Sequence, residues 1–250
     1  MINTRFKKTK IVATLGPGCN NKTIISKLIR AGVNVFRINF SHAKYEEADL
    51  YIDIIRKINK ETESNVAILA DLQGPKIRIG QMEDGVVIKK GQIFALSTTK
   101  NLVGNKSEAS LSYLNFPKDV KKGDKVLIDD GKLIFEVLST NRIDKVKLKN
   151  IQGGKLSSNK GVNLPNTKIS TPSLTAKDQK DLKYAISKEL DWIALSFVRN
   201  ADDVNSLRKI IEETSDEKIP IIAKIEKPEA ISNIEEIIQS SDGVMVARGD

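Results

Sequence analysis

The stretch IIAKIEKPEA, residues 221–230, combines two kinds of residue that seldom share a strand. Ile221, Ile222, Ala223 and Ile225 form an apolar run of the sort buried on both faces of a parallel sheet, yet Lys224 and Glu226 are set into its far end. Side chains two apart on a strand point the same way, about 6.6 Å from each other along its axis. The two charges therefore share a face, and something beside them must offset the cost of their burial.

Working outward, the same layout recurs. KIVATLG (10–16) precedes a helix-period run carrying Ile24, Ile25, Leu28 and Ile29, which Gly32 can end as a C-cap. VNVFRINFS (33–41) precedes a helix with Ala48, Ile52, Ile55 and Ile58 on one face, and NVAILADL (65–72) follows. From Gly74 to about Ser170 the pattern changes to short alternating stretches punctuated by Gly and Asn, which predicts a small antiparallel β domain. The α/β alternation then resumes: Thr175 and Asp178 form a capping-box signal ahead of Leu182, Ala185, Ile186 and Leu190. WIALSFV (192–198), PIIAKIE (220–226) and GVMVARGD (243–250) supply three more strand-like runs.

Six strands alternating with helices predict a parallel α/β fold interrupted after its third strand. Its closed form is a (β/α)8 TIM-type barrel, expected here to be incomplete. Such a barrel typically takes about 250 residues, and 153 remain here once 74–170 are set aside. Two β/α units are thus expected to lie outside this sequence.

The chain has 250 residues, 40% hydrophobic and 29% charged, which suits a globular protein with a sizeable core. No run reaches the roughly 18 apolar residues of a membrane-spanning helix. MINTRFKKTKIVATLG also lacks the apolar h-region of a secretory signal, so a cytoplasmic location is expected. Cys19, the sole cysteine, excludes an internal disulfide and reads as structural. The net charge of +9 is confined to one region: residues 74–170 carry 18 Lys and Arg against 9 Asp and Glu, and the rest of the chain balances. An anionic ligand is expected near that segment. Its few aromatics, Phe94, Tyr113, Phe116 and Phe135, are not interleaved with the basic residues as in a single-strand binder, which argues against nucleic acid.

In barrels of this class the active site forms at the C-terminal ends of the strands. There, strand two offers Arg37, Asn39 and Ser41, expected to share one face; strand three ends in Asp71; strand five supplies Lys224 and Glu226; strand six supplies Arg248, Gly249 and Asp250. Buried ion pairs, Lys224 with Glu226 and Arg37 with Asp71, are the bland alternative. Because replacing such pairs by apolar residues is often neutral or stabilising, stability alone explains them poorly. Glu226 and Asp250 suit Mg²⁺, a hard cation that takes one or two carboxylates with waters and substrate oxygens, whereas Arg37 and Lys224 suit phosphate or a developing oxyanion. The set points to metal-assisted phosphoryl or enolate chemistry, and a lyase or aldolase acting on an oxoacid through the same metal-enolate site stays open. Neither a Walker loop nor GxGxxG occurs.

Seven motifs in order, TKIVATLGPG, GVNVFRINFSH, ADLQGPKIR, KGVNLP, DWIALSFVR, IIAKIEKPEA and DGVMVARGD, give the chain a resemblance to the pyruvate kinase family. That resemblance implies a catalytic barrel at 1–73 and 171–250, an inserted β-barrel lid at 74–170, and a barrel end and regulatory domain beyond this sequence. It implies transfer of the phosphoryl group of phosphoenolpyruvate to ADP, the last step of glycolysis, by a full-length homotetramer with no nucleic-acid or membrane partner. Arg37 would hold the phosphate and Lys224 would stabilise the group in transit. Glu226 and Asp250 would bind Mg²⁺, with Mn²⁺ as the alternative, and Gly249 would touch the substrate through its backbone. Asn39, His42, Arg78 and Lys160 would bind nucleotide, and Asp130 would contact its metal. The family's proton donor to the enolate lies beyond Asp250, so His42 is not assigned that duty.

One departure stands out. Many members read Asp-Thr-Lys-Gly-Pro-Glu across the third-strand motif, and hold K⁺ there. Here the stretch is DLQGPK, with Lys76 in the glutamate's place. The monovalent-cation site of Asn39, Ser41, Asp71 and Leu72 is therefore expected to be filled by the Lys76 ammonium, so that K⁺ is not required.

Overall fold

The apolar runs become six short strands: β1 (Ile11–Thr14), β2 (Val33–Asn39), β3 (Ala67–Asp71), β4 (Trp192–Leu195), β5 (Ile221–Ile225) and β6 (Gly243–Val246). In this computed structural model, which describes residues 8–99, 101–165 and 167–247, all six pair in parallel and in sequence order, β1-β2-β3-β4-β5-β6. A doubly wound sheet reverses its order at a switch point; a (β/α) barrel does not. The fold is an incomplete TIM-type barrel, with β1 and β6 as edges that carry exposed Ile11, Val12, Val244 and Val246. The chain divides into two compact units, one holding the residues up to Gly74 together with Ser173–Ala247, the other Pro75–Pro172.

The helices of the barrel unit start and stop where local chemistry dictates. Helix α1 (Lys22–Ala31) is capped by Asn21, whose side chain accepts from the Ile24 N–H, and it ends at Gly32 in the left-handed region with φ of 107°. Helix α2 (Tyr45–Thr62) buries Ala48, Ile52, Ile55 and Ile58. Helix α3 (Ala176–Ser187) begins with the reciprocal Thr175–Asp178 capping box. Helices α4 (Ala201–Thr214), α5 (Pro228–Ser232) and α6 (Ile234–Ser240) complete the layer outside the sheet. Their inner faces meet Phe36, Ile38, Ile68, Ile193, Leu195 and Ile221 in one core. No helix among the described residues is long and apolar enough to cross a membrane.

The second unit has its own core around Phe94, Phe116, Phe135 and Leu148. Strands Val162–Asn163, Lys125–Ile128, Leu133–Thr140, Lys145–Gln152 and Ile93–Ser97 run antiparallel in that order. Glu108–Ser110 then pairs parallel with Ile93–Ser97. This parallel edge departs from the all-antiparallel expectation, because periodicity within a strand says nothing of its neighbour's direction. Single bridges from Arg78 to Gly161 and from Ile79 to Leu111 join the two ends of the sheet and close it as a small barrel.

The chain leaves β3 through Gly74, in the left-handed region with φ of 69°. A Cβ there would lie 2.7 Å from the Phe197 ring, so glycine is needed twice over. Buried Asp178 accepts from the Gly74 N–H at 3.0 Å with one carboxylate oxygen and from the Thr175 N–H at 2.9 Å with the other. One side chain thus caps α3 and fastens the end of the segment leaving β3. Removing it in Asp178→Ala leaves buried donors unpaired and is expected to destabilise the protein by about 2–3 kcal/mol, lowering Tm by roughly 2–4 °C per kcal/mol. An unchanged melting curve would contradict this role.

Candidate active site

Asp71 ends β3 and is 1% exposed, so its charge cannot be left to water. Two cations reach it. Arg37 on β2 donates from Nε to Asp71 Oδ2 at 2.7 Å and pairs with the same oxygen through Nη2. Lys224 on β5, itself 8% exposed, lies 3.2 Å from Oδ1. Arg37 also donates from Nη1 to the Thr14 hydroxyl at 2.9 Å, across the register that pairs Thr14 with Arg37. N–H donors remain on both Nη atoms after these bonds are made.

The opening pair behaves as its spacing demands: Lys224 Nζ and Glu226 Oε1 are 3.4 Å apart. Glu226 follows the end of β5, and its Oε2 accepts from the backbone N–H of Phe197 at 2.7 Å. Lys224 donates to the hydroxyl of Ser196 at 2.9 Å, and that hydroxyl donates to the carbonyl of Leu72 at 2.7 Å. Three strand ends, β2, β3 and β5, thus deliver two cations and two carboxylates to one place, and the end of β4 adds the Ser196 hydroxyl and the Phe197 N–H.

Asn39 and Asp71 are register partners at the ends of β2 and β3. Ser41, however, does not share a strand face with Arg37 and Asn39. The strand stops at Asn39, whose side-chain oxygen accepts from the Ser41 N–H at 3.0 Å while its carbonyl accepts from His42 and Ala43, so the chain turns before the period of two reaches Ser41. His42 is exposed in that turn. Leu72 is buried, and its carbonyl is taken by Ser196. Arg248, Gly249 and Asp250 lie outside the described residues.

The remaining predicted residues belong to the second unit. Arg78 donates to the Asn159 carbonyl at 2.9 Å, and Lys160 pairs with Asp129 at 2.9 Å. Lys160 is the main reason the Asp129 carboxyl is held below its ordinary range, with Lys132 adding to it. Asp130 is exposed in the tight loop 129–131, where Asp129, Asp130 and Gly131 all have positive φ. Lys76 is half-buried.

Sequence reasoning missed three participants: Thr14, Ser196 and the backbone of Phe197. Thr14 and Ser196 are polar residues closing apolar strands, the same signal that Asp71 carries at the end of β3. The Phe197 N–H has no side-chain signature at all. Next to it, burial pushes the Lys227 ammonium below its ordinary range, against the opposing pull of Glu229 and Glu226.

Among the described residues no three His, Cys, Asp or Glu side chains gather into a metal cage. Glu226 alone still fits a hard divalent cation. It is an oxygen ligand aligned by a backbone donor, and Mg²⁺ is commonly held by one or two carboxylates, waters and substrate oxygens.

Comparison with known proteins bears on what these strand ends serve. The family described as pyruvate kinase, barrel domain, matches residues 6–250. The chain is 44% identical over 247 residues to the pyruvate kinase of Staphylococcus saprophyticus, covering 98% of this chain and 42% of that protein. It is also 44% identical over 246 residues to the pyruvate kinase of Thermotoga maritima, covering 98% of this chain and 52% of that one. A crystal structure of a pyruvate kinase from Cryptosporidium parvum superposes with a TM-score of 0.90 at 39% identity, covering 97% of this chain and 51% of its own. The chain spans about half the length of these relatives. On sequence and fold alike, it belongs to the pyruvate kinase family.

Proposed function

We propose that the chain forms part of the catalytic barrel of a pyruvate kinase, which moves the phosphoryl group of phosphoenolpyruvate to ADP and yields pyruvate and ATP. The observation that carries this reading is the meeting of Arg37, Lys224 and Glu226 around buried Asp71 at the C-terminal ends of parallel barrel strands. In the reaction, the bond between the enol oxygen and phosphorus breaks as a terminal oxygen of ADP bonds to that phosphorus. The enolate left behind takes up a proton on carbon to become pyruvate.

Each side chain has a task that suits its setting. Arg37, braced by Asp71 and Thr14, turns its remaining N–H donors to the phosphate. Lys224 is a fixed, nearly water-free ammonium, worth more against developing charge than an exposed one. It faces the phosphoryl group in transit and the enolate oxygen. Glu226 would hold the divalent cation, Mg²⁺ or Mn²⁺, with Asp250. When bound, such a cation neutralises charge on phosphoryl and substrate oxygens. Because Arg37 and Lys224 are balanced by Asp71 and Glu226, the protein cluster has little net charge of its own, and an anionic substrate gains from arriving with a cation. Gly249 would meet substrate through its backbone; Asn39, His42, Arg78 and Lys160 would serve the nucleotide. The reading extends to a cytoplasmic homotetramer for the full-length protein.

Two outcomes are expected. Lys224→Met in the full-length protein keeps the fold but lowers kcat by about 10²–10³-fold, the scale of losing one preorganised charge donor, with the KM for ADP little changed; a kcat near that of the unsubstituted protein would refute the assignment. Lys76 is proposed to replace the monovalent cation, so phosphoenolpyruvate turnover in buffer free of K⁺ and Na⁺ should already be maximal. Lys76→Glu should create dependence on K⁺. A strong rate gain when K⁺ is added to the unsubstituted protein would count against this.

A further inference from the structure

Seven of the eight non-glycine residues that adopt positive φ among the described residues are Glu, Asn, Asp or Arg; the eighth is Phe197, at 56°. A bulky aromatic residue seldom occupies the left-handed region unless its surroundings hold it there. The surroundings do so from three sides. The ring lies where Gly74 has no side chain, since a Cβ on Gly74 would come within 2.7 Å of it. The Lys227 ammonium stands over the ring, 5.7 Å from its centroid. Downstream, the turn is tied by Asp203, which accepts from the backbone N–H of Arg199 at 3.0 Å, and by Asn233, which donates to the Arg199 carbonyl at 2.9 Å.

The turn held in this way touches both charged ends of the site. The Ser196 hydroxyl accepts a hydrogen bond from the Lys224 ammonium and donates one to the Leu72 carbonyl. Phe197, in its unusual backbone conformation, points its N–H at Glu226 Oε2, 2.7 Å away. With the chain held downstream at Arg199 by Asp203 and Asn233, relaxing Phe197 to negative φ would require the Ser196–Phe197 peptide to rotate, turning that N–H away from the carboxylate.

We infer that Phe197 is a positioning residue whose ring, seated between Gly74 and Lys227, holds a left-handed backbone that orients Glu226 for a divalent cation. The inference rests on the proposed metal role of Glu226. Ser196 does the same for Lys224 from the adjoining residue. The turn thereby sets the orientation of both members of the Lys224–Glu226 ion pair, the ammonium through the Ser196 hydroxyl and the carboxylate through the Phe197 N–H.

The test is direct binding of Mn²⁺ alone to the full-length protein, read from the electron paramagnetic resonance of the free ion, beside thermal melting. Phe197→Ala retains a Cβ that disfavours the left-handed backbone and lacks the ring that enforces it. It is expected to weaken Mn²⁺ binding by about 10–100-fold, as loss of a partner to a metal ligand typically does. Phe197→Gly loses more apolar contact but adopts positive φ readily, and should bind Mn²⁺ closer to the unsubstituted protein than the alanine variant does. A residue that merely packs would give the opposite order. Equal or greater loss in Phe197→Gly, or unchanged binding in both variants, overturns the inference. Should Phe197→Ala fail to fold, Phe197→Leu keeps apolar bulk with the same backbone penalty and takes its place in the comparison. Glu226→Gln separates the two readings. Unchanged Mn²⁺ binding in that variant sinks the metal assignment itself, whereas weakened binding there with normal binding in the Phe197 variants sinks the positioning role alone.

Discussion

A carboxylate sealed inside the end of a parallel sheet governs the layout of this protein. Asp71 is almost without solvent, and its charge is tolerable because Arg37 and Lys224 reach it from strands on either side. Removing one member of such a buried set costs about 3–5 kcal/mol, since the others are left uncompensated. Replacing all of them with apolar side chains would cost little. The set is therefore best understood as something the fold maintains for chemistry, with its stability secured collectively.

That constraint explains why strand order and direction matter. A one-residue slip of β2 or β5 would turn Arg37 or Lys224 to the opposite face of the sheet and leave Asp71 with only one of its two cations. Parallel pairing in sequence order brings the ends of β2, β3, β4 and β5 to one rim, where Ser196 and Phe197 can fill the gap between Leu72 and Glu226. The exit of the chain from β3 is governed by the same crowding. Gly74 must yield space to Phe197, and Asp178 must hold the Gly74 N–H while capping α3. Packing at the strand ends and chemistry at the rim use the same few atoms.

Much of this was legible in the residues. Six apolar runs, helix-period spacing between them and the capping signals at Gly32 and Thr175–Asp178 mark elements that form by local rules, and they appear where those rules put them. Charges set into apolar strands at Arg37, Asp71, Lys224 and Glu226 were visible because burial makes them anomalous. What escaped reading depends on non-local geometry. The turn made by the Asn39 side chain ended β2 too early for Ser41 to share its face. The parallel pairing of Glu108–Ser110 reflects a neighbour's direction, which alternation within a strand does not encode. Phe197 contributes through a backbone N–H, and any residue type offers one of those except proline.

The account is tested most directly by anomalous diffraction from crystals of the full-length protein grown with Mn²⁺ and phosphoenolpyruvate. It predicts a manganese peak bonded to a Glu226 carboxylate oxygen, with the substrate phosphate within hydrogen-bond reach of Arg37 and Lys224. A manganese ion and phosphate bound together at another place, with Glu226 still closed on Lys224, would contradict it.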